Sequence, residues 1–440
     1  MRAPFAVDIR AQLDSGRATA EAIASDCLRR IAQRDDEVGA WTYVSREVVM
    51  DQARSRDNAT AGALRGVPIG VKDLIDTADM PTEYGSPLYA GHRPSVDATC
   101  VARIRDAGGV VVGKTTLTEF AASFRDVRTR NPLDLTRTPG GSSNGSAAAV
   151  ADGMVPLALG SQTGGSVLRP ASYCGIVGYK PTFGAISRAG VRPISPSIDS
   201  IGVFGRSVAD IRLLARVLVG PDPRDPPTLQ RLIDLELRGD ASPQIAYTRT
   251  PWHRYAEPFV LRLLDQLAAD LRDAGASVTA IELTEPFDEA VEAARTIMEY
   301  EGARQFAPDY DRGRDRMATD LVSFIESGQR TSAAECERAR SVAEGCCAAI
   351  AAILAEYDVL LTPVVTGEAP PHGNTGDPVF CRVWSMLGNP TIAVPAALGP
   401  SGLPVGFQLI AAHGKDGELL RIAEWVARAA NARFRPAAVH

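Results

Sequence analysis

A block rich in glycine and serine, residues 139–166, constrains this chain more than any other feature. It reads PGGSSNGSAAAVADGMVPLALGSQTGGS, and seven of its 28 residues are glycine. Glycine lets backbone N–H groups converge on an anion, because it adopts positive φ at little cost. The run Thr163-Gly164-Gly165-Ser166 predicts such a nest, with the Ser166 hydroxyl at its lip. A nucleophile beside donors for a developing oxyanion is what acyl transfer requires.

A serine nucleophile needs a base, and no histidine is an evident candidate. None of the chain's five histidines lies near the block in sequence. A lysine made neutral by burial is another possible base. Lys72 ends the apolar run 66–71 and is such a candidate. From the residues alone, two interpretations stay open: Ser166 and Lys72 form a catalytic pair, or they are an ordinary loop serine and a solvated lysine.

The composition is that of a globular protein and excludes several classes. The 440 residues are 45% hydrophobic and 23% charged, with a formal net charge of −6, which excludes disordered, collagen-like and coiled-coil chains. The mild negative charge argues against a nucleic-acid partner. There is no apolar stretch of about 18 residues and no apolar signal segment, so we expect no membrane contact. The seven cysteines lack metal-ligand spacing, which favours reduced thiols in a cytoplasmic protein.

Helical and strand patterns alternate along the chain. An amphipathic helix is predicted over 19–33, with Thr19 as N-cap. Strands are predicted at 66–72 and 110–112, on either side of a helix at 97–107. Residues 108–115 match the phosphate-loop pattern G-x-x-x-x-G-K-[ST], but three consecutive valines are stiff and favour a buried strand. This alternation predicts an α/β layered fold.

The remaining chain divides by pattern into two further parts. Residues 221–356 are mainly helical and more charged, with one short strand expected at 277–283. Residues 357–440 return to an α/β pattern with strands near 358–363 and 390–395 and a closing helix. Neither an internal repeat nor a long linker is evident. We therefore expect one compact domain over residues 1–440, with a helical insertion between two α/β parts.

These motifs resemble the amidase signature family over most of the chain. The matching segments are 65–73, 107–120, 139–150, 160–166, 175–182, 197–202 and 402–408. The spacing of Ser142 and Ser166 is the most specific part of the match. The resemblance implies a single large domain, with a central mixed, twisted β-sheet covered by helices on both faces. It also implies a catalytic core at 60–215, a variable substrate-side part at about 221–356 and a C-terminal α/β part at 357–440.

The resemblance implies a Ser–cis-Ser–Lys catalytic triad. Carried over to this chain, Ser166 is the nucleophile, Ser142 the bridging serine in a cis peptide, and Lys72 the general base. The N–H groups of residues 163–166 (Thr163, Gly164, Gly165 and Ser166) form the oxyanion hole. Ser143 supports the network by hydrogen bonding. This mechanism requires no cofactor and no metal.

The sequence departs from the commonest family pattern near the nucleophile. Gln162 stands where many members have aspartate, Asn144 stands where many have glycine, and Arg169 comes third after Ser166 instead of second. This arrangement is similar to the small-amidase branch that includes malonamidases. There the matching arginine binds a substrate carboxylate, since guanidinium pairs with carboxylate through two hydrogen bonds. Arg169 and Gln162 are therefore candidate substrate-binding residues, with a structural arginine inside the fold as the alternative.

Three functions follow from these observations. The first is an amidohydrolase that cleaves the C–N bond of a small carboxylic amide, and also esters or carbamates, through a serine acyl-enzyme. The second is the glutamine-hydrolysing subunit of a tRNA-dependent amidotransferase, which needs partner subunits. The third is a non-enzymatic binding protein on an amidase scaffold. We expect the first, with a small-molecule amide substrate, no nucleic acid and a homodimer as the default assembly.

Overall fold

The computed structural model describes residues 3–58, 62–124, 128–230, 233–237, 239 and 241–431. In this part of the chain, eleven strands pair into one sheet. The strands are Trp41–Val44 (β1), Pro68–Lys72 (β2), Val110–Thr115 (β3), Leu157–Gln162 (β4), Val177–Lys180 (β5), Ser200–Gly205 (β6), Gln244–Tyr247 (β7), Ser277–Ala280 (β8), Val359–Pro363 (β9), Thr391–Leu398 (β10) and Pro404–Ile410 (β11).

Fourteen α-helices flank this sheet within the described residues. They are Ala6–Asp14 (α1), Ala20–Val38 (α2), Arg46–Asp57 (α3), Thr99–Asp106 (α4), Asn144–Asp152 (α5), Leu168–Tyr173 (α6), Val208–Leu218 (α7), Pro258–Asp273 (α8), Ala290–Gln305 (α9), Ala307–Gly313 (α10), Thr319–Arg330 (α11), Ala333–Glu356 (α12), Val379–Met386 (α13) and Asp416–Asn431 (α14). None of the described helices combines the length and apolar character needed to cross a membrane.

The sheet is mixed, with the order β1-β3-β2-β4-β6-β5-β10-β11-β9-β7-β8. Strand β2 runs parallel to β3 and β4, and β7 runs parallel to β8 and β9. The other neighbouring pairs are antiparallel. The prediction of a single large mixed sheet flanked by helices is confirmed.

Local sequence signals explain where the early elements begin and end. The Thr19 side chain accepts a hydrogen bond from the N–H of Ala22 and caps α2, as its position predicts. The same helix ends at Gly39, whose φ of 67° is left-handed and suits glycine. All six residues of β3 are buried. The interpretation of residues 108–115 as a buried strand instead of a phosphate loop is therefore confirmed for the residues that form β3.

The middle of the chain contributes more to the sheet than its pattern predicts. Besides the expected strand β8, it supplies β7, and together these two strands form one end of the sheet. The helices α9, α11 and α12 pack on one another around a separate apolar cluster that contains Ile297, Leu321 and Ile325. The boundaries at 60–215, 221–356 and 357–440 stay a prediction. Residues 1–2 and 432–440 of the expected single domain lie outside the described residues.

Sheet topology brings distant residues to one edge. Strands β2 and β4 are parallel, with Val71 opposite Leu159, so their carboxyl ends lie side by side. Strand β6 runs antiparallel to β4, with Ser200 opposite Gln162. The ends of β2 and β4 and the start of β6 therefore meet at the same edge.

Candidate active site

Lys72 is the last residue of β2 and is fully buried. Its Nζ lies 2.9 Å from Ser142 Oγ and 2.8 Å from Ser161 Oγ. Both partners are neutral hydroxyls, and neither hydrogen bond supplies a counter-charge. The lysine is therefore held at one point of the site, and none of the described residues forms a direct ion pair with it.

Burial controls the protonation of this lysine. It lowers the pKa of Lys72 well below the usual value, because an ammonium ion is poorly solvated inside the protein. The negative charge of Asp199 acts in the opposite direction and raises the Lys72 pKa. The net lowering favours a neutral amine, the form that accepts a proton.

Ser142 and Ser143 immediately precede helix α5. The peptide bond between Gly141 and Ser142 is cis, as the resemblance implies. The Ser143 hydroxyl contacts the backbone of Ser161 twice: it lies 3.2 Å from the carbonyl oxygen and accepts from the N–H at 3.3 Å. Ser143 thus fastens the α5 start to strand β4, and this contact holds Ser142 beside Lys72.

Ser166 ends the short loop between β4 and α6. Its side chain is almost fully buried, with 9% exposure, and it lines a cavity of about 30 Å³ together with Thr163, Gly164 and Gly165. Among the described residues, the Ser166 hydroxyl makes no hydrogen bond to Ser142. The structure thus brings Lys72, Ser142 and the glycine loop to one edge of the sheet. Their catalytic roles, and proton transfer between the two serines, belong to the proposal made below.

The Gln162 side chain holds the glycine loop through hydrogen bonds at both ends of its amide. Its Oε1 accepts from the N–H groups of Val167 and Leu168, at 2.8 and 3.0 Å. Its Nε2 donates to Ser385 Oγ at 2.9 Å, and that hydroxyl donates to the carbonyl of Gly164 at 3.0 Å. Both ends of the amide have partners inside the fold. A direct contact of Gln162 with substrate stays a prediction.

Arg169 is buried and has its partners in the protein backbone. Its guanidinium donates to the carbonyls of Gly376 at 2.7 Å and Gly141 at 2.6 Å, and to Thr375 Oγ1 at 3.3 Å. It also lines the 30 Å³ cavity beside Ser166. These contacts fit the structural alternative, since the Gly141 carbonyl belongs to the cis peptide. Carboxylate binding by Arg169 stays a prediction.

Three polar residues in the site were not assigned a role from the sequence. Ser161 contacts Lys72, Ser385 contacts Gln162, and Asp199 accepts a hydrogen bond from Thr163 Oγ1 at 2.5 Å. Ser161 and Asp199 lie inside segments that match the family, so position in those motifs was an available signal. Nothing in the local pattern around Ser385 pointed to the loop, because it comes from α13, more than 200 residues later.

A second, larger cavity of about 280 Å³ lies beside the first. Thr163 and Ile194 line both cavities, so the glycine loop and the segment before β6 separate them. The larger cavity also contacts Ser161 and Asp199. The smaller one is mainly apolar, and the helical middle contributes Met298 and Phe324 to its wall. The expectation that residues 221–356 form the substrate side stays a prediction.

Comparison with known proteins identifies the class and the family. The family model described as Amidase matches residues 22–420. Fold and match together define an enzyme of the type that hydrolyses carbon–nitrogen bonds. The chain belongs to the amidase family.

Curated relatives and solved structures extend over nearly the whole chain. A glutamyl-tRNA(Gln) amidotransferase subunit from Symbiobacterium thermophilum is 34% identical and covers 93% of this chain and 93% of that protein. The corresponding protein from Carboxydothermus hydrogenoformans is 32% identical, with 95% of each chain covered. Peptide amidase from Stenotrophomonas maltophilia is 31% identical, with a TM-score of 0.85 and 98% of each chain covered. A vestigial complex related to an s-triazine catabolic enzyme is 29% identical, with a TM-score of 0.92, covering 99% of this chain and 100% of that one.

These relatives correct the prediction about partners. We expected a small-molecule amide substrate, no nucleic acid and at most a homodimer. The curated relatives are named as one subunit of an amidotransferase that is itself named for glutamyl-tRNA, and the prediction is wrong. Net charge failed as a guide because it averages the whole surface, whereas contact with another protein or a tRNA needs only a local patch. The cytoplasmic location stays a prediction, since a relative from Vitis vinifera is named chloroplastic/mitochondrial.

Proposed function

We propose that this chain hydrolyses the side-chain amide of glutamine through an acyl-enzyme on Ser166, and that it is the ammonia-releasing subunit of a tRNA-dependent amidotransferase. The observation that carries the chemistry is the buried Lys72 amine, 2.9 Å from Ser142 Oγ and without a direct counter-ion. The substrate and the assembly rest on the similarity to the glutamyl-tRNA(Gln) amidotransferase relatives, which extends over 93% of both chains.

The first half of the reaction forms the acyl-enzyme. Neutral Lys72 takes the proton of Ser142, and Ser142 takes the proton of Ser166, whose oxygen attacks the amide carbon. The N–H groups of Thr163, Gly164, Gly165 and Ser166 stabilise the oxyanion of the tetrahedral intermediate. When the C–N bond breaks, Ser142 returns a proton to the leaving nitrogen and recovers one from the lysine. Ammonia leaves, and the acyl group stays on Ser166 as an ester.

The second half of the reaction releases glutamate. Water gives its proton to the same Ser142–Lys72 relay and attacks the ester carbon, and the oxyanion again lies against the glycine loop. Collapse of this intermediate breaks the bond to Ser166 Oγ, which regains its proton from Ser142. Every proton taken by Lys72 is returned, so the enzyme ends as it began. In the proposed assembly, the released ammonia passes to the partner subunits.

Ammonia release from glutamine tests this proposal directly. We expect slow release by the purified chain alone and at least tenfold faster release when the partner subunits of the amidotransferase and glutamylated tRNA are added. Ser166→Ala should abolish release in both conditions, because the acyl-enzyme cannot form. Ser341→Ala, at an exposed serine on α12, should retain wild-type activity and is the matched control.

Two outcomes contradict different parts of the proposal. Turnover by a folded Ser166→Ala protein would remove the serine mechanism. If wild-type protein releases ammonia from other amides but not from glutamine, with or without the partner subunits, the proposed substrate and assembly are wrong while the chemistry stands.

A further inference from the structure

One carboxylate joins the glycine loop to the wall of the larger cavity. Asp199 immediately precedes β6, and the pairing of Gln162 with Ser200 brings it next to Thr163. One carboxylate oxygen accepts from Thr163 Oγ1 at 2.5 Å. The other accepts from the N–H groups of Ile194 and Ser195, at 2.8 and 3.0 Å. Through these contacts the carboxylate bridges the first residue of the glycine loop and the start of the 194–199 segment.

We propose that Asp199 is a positioning residue for amide hydrolysis: it fixes Thr163 at the start of the glycine loop and presents a negative charge to Lys72. The inference rests on the proposed Ser166 chemistry, and it holds whichever amide is the substrate. Nothing in it requires Asp199 to touch the substrate. It acts through two groups that do the chemistry, the oxyanion loop and the base.

The segment 194–199, which contains Asp199, is itself hydrogen-bonded to helix α9. Glu301 on α9 accepts from the Ser195 hydroxyl at 2.7 Å, and from the Ser197 N–H and hydroxyl at 3.1 and 2.7 Å. Arg340 on α12 donates to the same carboxylate at 3.1 Å. Because the 194–199 segment is bound at both ends, Asp199 has little freedom to move away from Thr163. This fixed placement is what a positioning role requires.

The charges around Asp199 limit what its titration affects. Lys72 on β2 and Arg188 interact with it electrostatically, and Arg188 also donates to its backbone carbonyl at 3.3 Å. Arg188 is itself paired with Asp225 at 2.9 Å. Arg192 and Arg224 line the same cavity and are paired with Asp309 and Asp222. Among the charged groups described around Asp199, Lys72 is the one without a hydrogen-bonded counter-ion.

The sign of the pH effect follows from this arrangement. Burial raises the pKa of Asp199 to about 6, so the group is anionic at neutral pH. Its charge stabilises protonated Lys72 and so raises the pKa of that lysine. Reaction needs neutral Lys72, and its rate therefore rises with pH through the Lys72 pKa. Replacing Asp199 with a neutral isostere lowers that pKa and moves the acidic limb of the pH–rate profile to lower pH.

The test measures the reactivity of Ser166 and needs no glutamine. A small alkyl fluorophosphonate reacts covalently with an activated serine. The rate constant of this labelling depends on the base and on the oxyanion hole. We expect Asp199→Asn and Thr163→Val each to slow labelling of Ser166 about ten- to hundredfold. The acidic limb should move down by about one pH unit in Asp199→Asn only. Asp288→Asn, at an exposed aspartate, is the matched control and should label like wild type.

Two further variants separate positioning from general damage. Thr163→Ser keeps the hydroxyl and should recover most of the rate that Thr163→Val loses. The double variant Asp199→Asn/Thr163→Val should be little slower than the slower single variant, because both substitutions act on the same contact between residues 199 and 163. Unfolding midpoints of all variants are measured beside the rates.

Several outcomes overturn the inference. Labelling of Asp199→Asn at the wild-type rate and pH profile removes it, as do fully additive effects of the two single substitutions. A rate loss that tracks unfolding, with an unmoved acidic limb, assigns Asp199 a merely structural role. Wild-type protein that is unreactive at Ser166 at every pH refutes the proposed chemistry and this inference with it. Normal labelling without glutamine hydrolysis refutes only the proposed substrate.

Discussion

At the scale of single residues, Arg169 connects two separate parts of the site through its buried guanidinium. The guanidinium donates to the carbonyls of Gly141, next to Ser142, and of Gly376, in the loop before α13. A buried guanidinium is costly unless its donors are paired. Two backbone carbonyls and one hydroxyl pair with the two terminal nitrogens, whereas the buried Nε has no partner among the described residues. Through these hydrogen bonds, Arg169 connects the start of α5 with the C-terminal part of the chain.

Replacing Arg169 with methionine is predicted to lower kcat and stability together. Loss of the guanidinium leaves the Gly141 and Gly376 carbonyls without this donor, and we expect the free energy of unfolding to fall by about 2 kcal/mol. We expect kcat for glutamine to fall at least tenfold, with a smaller change in KM, since Ser142 loses its support. Steady-state kinetics and urea unfolding measure these effects, with exposed Arg338→Met as control. A large rise in KM at unchanged kcat and stability would instead support the carboxylate clamp.

Some of these residues could be predicted from sequence and others could not. Lys72 and Ser166 were identifiable because each lies in a compact motif whose chemistry is local: an apolar strand that ends in lysine, and a glycine loop that ends in serine. Arg169 and Gln162 each have a partner among residues 375–385, more than 200 positions away. No local pattern encodes such a contact. For Arg169, substrate contact and a structural role therefore both stayed open, and Gln162 was a candidate for substrate contact.

At the scale of elements, helix α5 depends on a glycine at its second position. A Cβ built at Gly145 would overlap the carbonyl oxygen of Ala40 and the backbone N and side chain of Thr116. The first turn of α5 thus packs directly against backbone, and that approach places Ser142 and Ser143 at the sheet edge. Gly345 in α12 is also helical, but its nearest neighbour would be Pro286 Cγ at 3.1 Å, a side-chain atom with more freedom to shift.

This difference predicts opposite effects for one substitution at two helical glycines. Gly145→Ala should lower the free energy of unfolding by about 2 kcal/mol or more, because the added methyl meets backbone that cannot easily move. Gly345→Ala should be neutral or stabilise by up to about 1 kcal/mol, since alanine favours the helix. Urea unfolding of both variants and of the wild type measures these changes in the free energy of unfolding. Equal effects at the two sites would refute the packing argument.

Helix α2 follows local sequence signals, whereas strand β7 does not. Helix α2 was predictable from its period and its cap. Strand β7 is only four residues long, and its partner β9 lies more than 100 residues later in the chain. A run that short carries little periodic signal, and its strand character comes from the pairing itself. The middle of the chain was accordingly expected to be more helical than it is.

At the scale of the whole molecule, the sheet joins segments from both ends of the chain. The pairing of β5 with β10 connects strands that are about 200 residues apart in sequence, and β7 and β8 extend the same sheet at its far end. Most of the apolar core is one continuous cluster that reaches from Ala6 to Ala430. No boundary in the described sheet isolates the middle segment from the rest.

We predict that the chain unfolds as one unit in spite of its length. Far-UV circular dichroism and tryptophan fluorescence should give coincident urea transitions, because one sheet and one main core cross all three sequence regions. Trp41 on β1 and Trp384 on α13 report on distant parts of the fold. We therefore expect one midpoint in each of the variants Trp41→Phe and Trp384→Phe. In each variant, the urea midpoint from the fluorescence of the remaining tryptophans should match the midpoint from circular dichroism. Two separated transitions would instead indicate independently folding parts.

The hydrogen bonds from Ser385 to the glycine loop have a consequence for synthesis on the ribosome. Lys72, Ser142 and Ser166 are all made before residue 200, but the hydroxyl that holds Gln162 and Gly164 arrives only with α13. Strand β10, which covers the outer edge of β5, is later still. The nascent chain therefore contains both Lys72 and Ser166 for about half of translation before the loop around them can be fixed. We expect the proposed hydrolysis to begin only when nearly the whole polypeptide has been made.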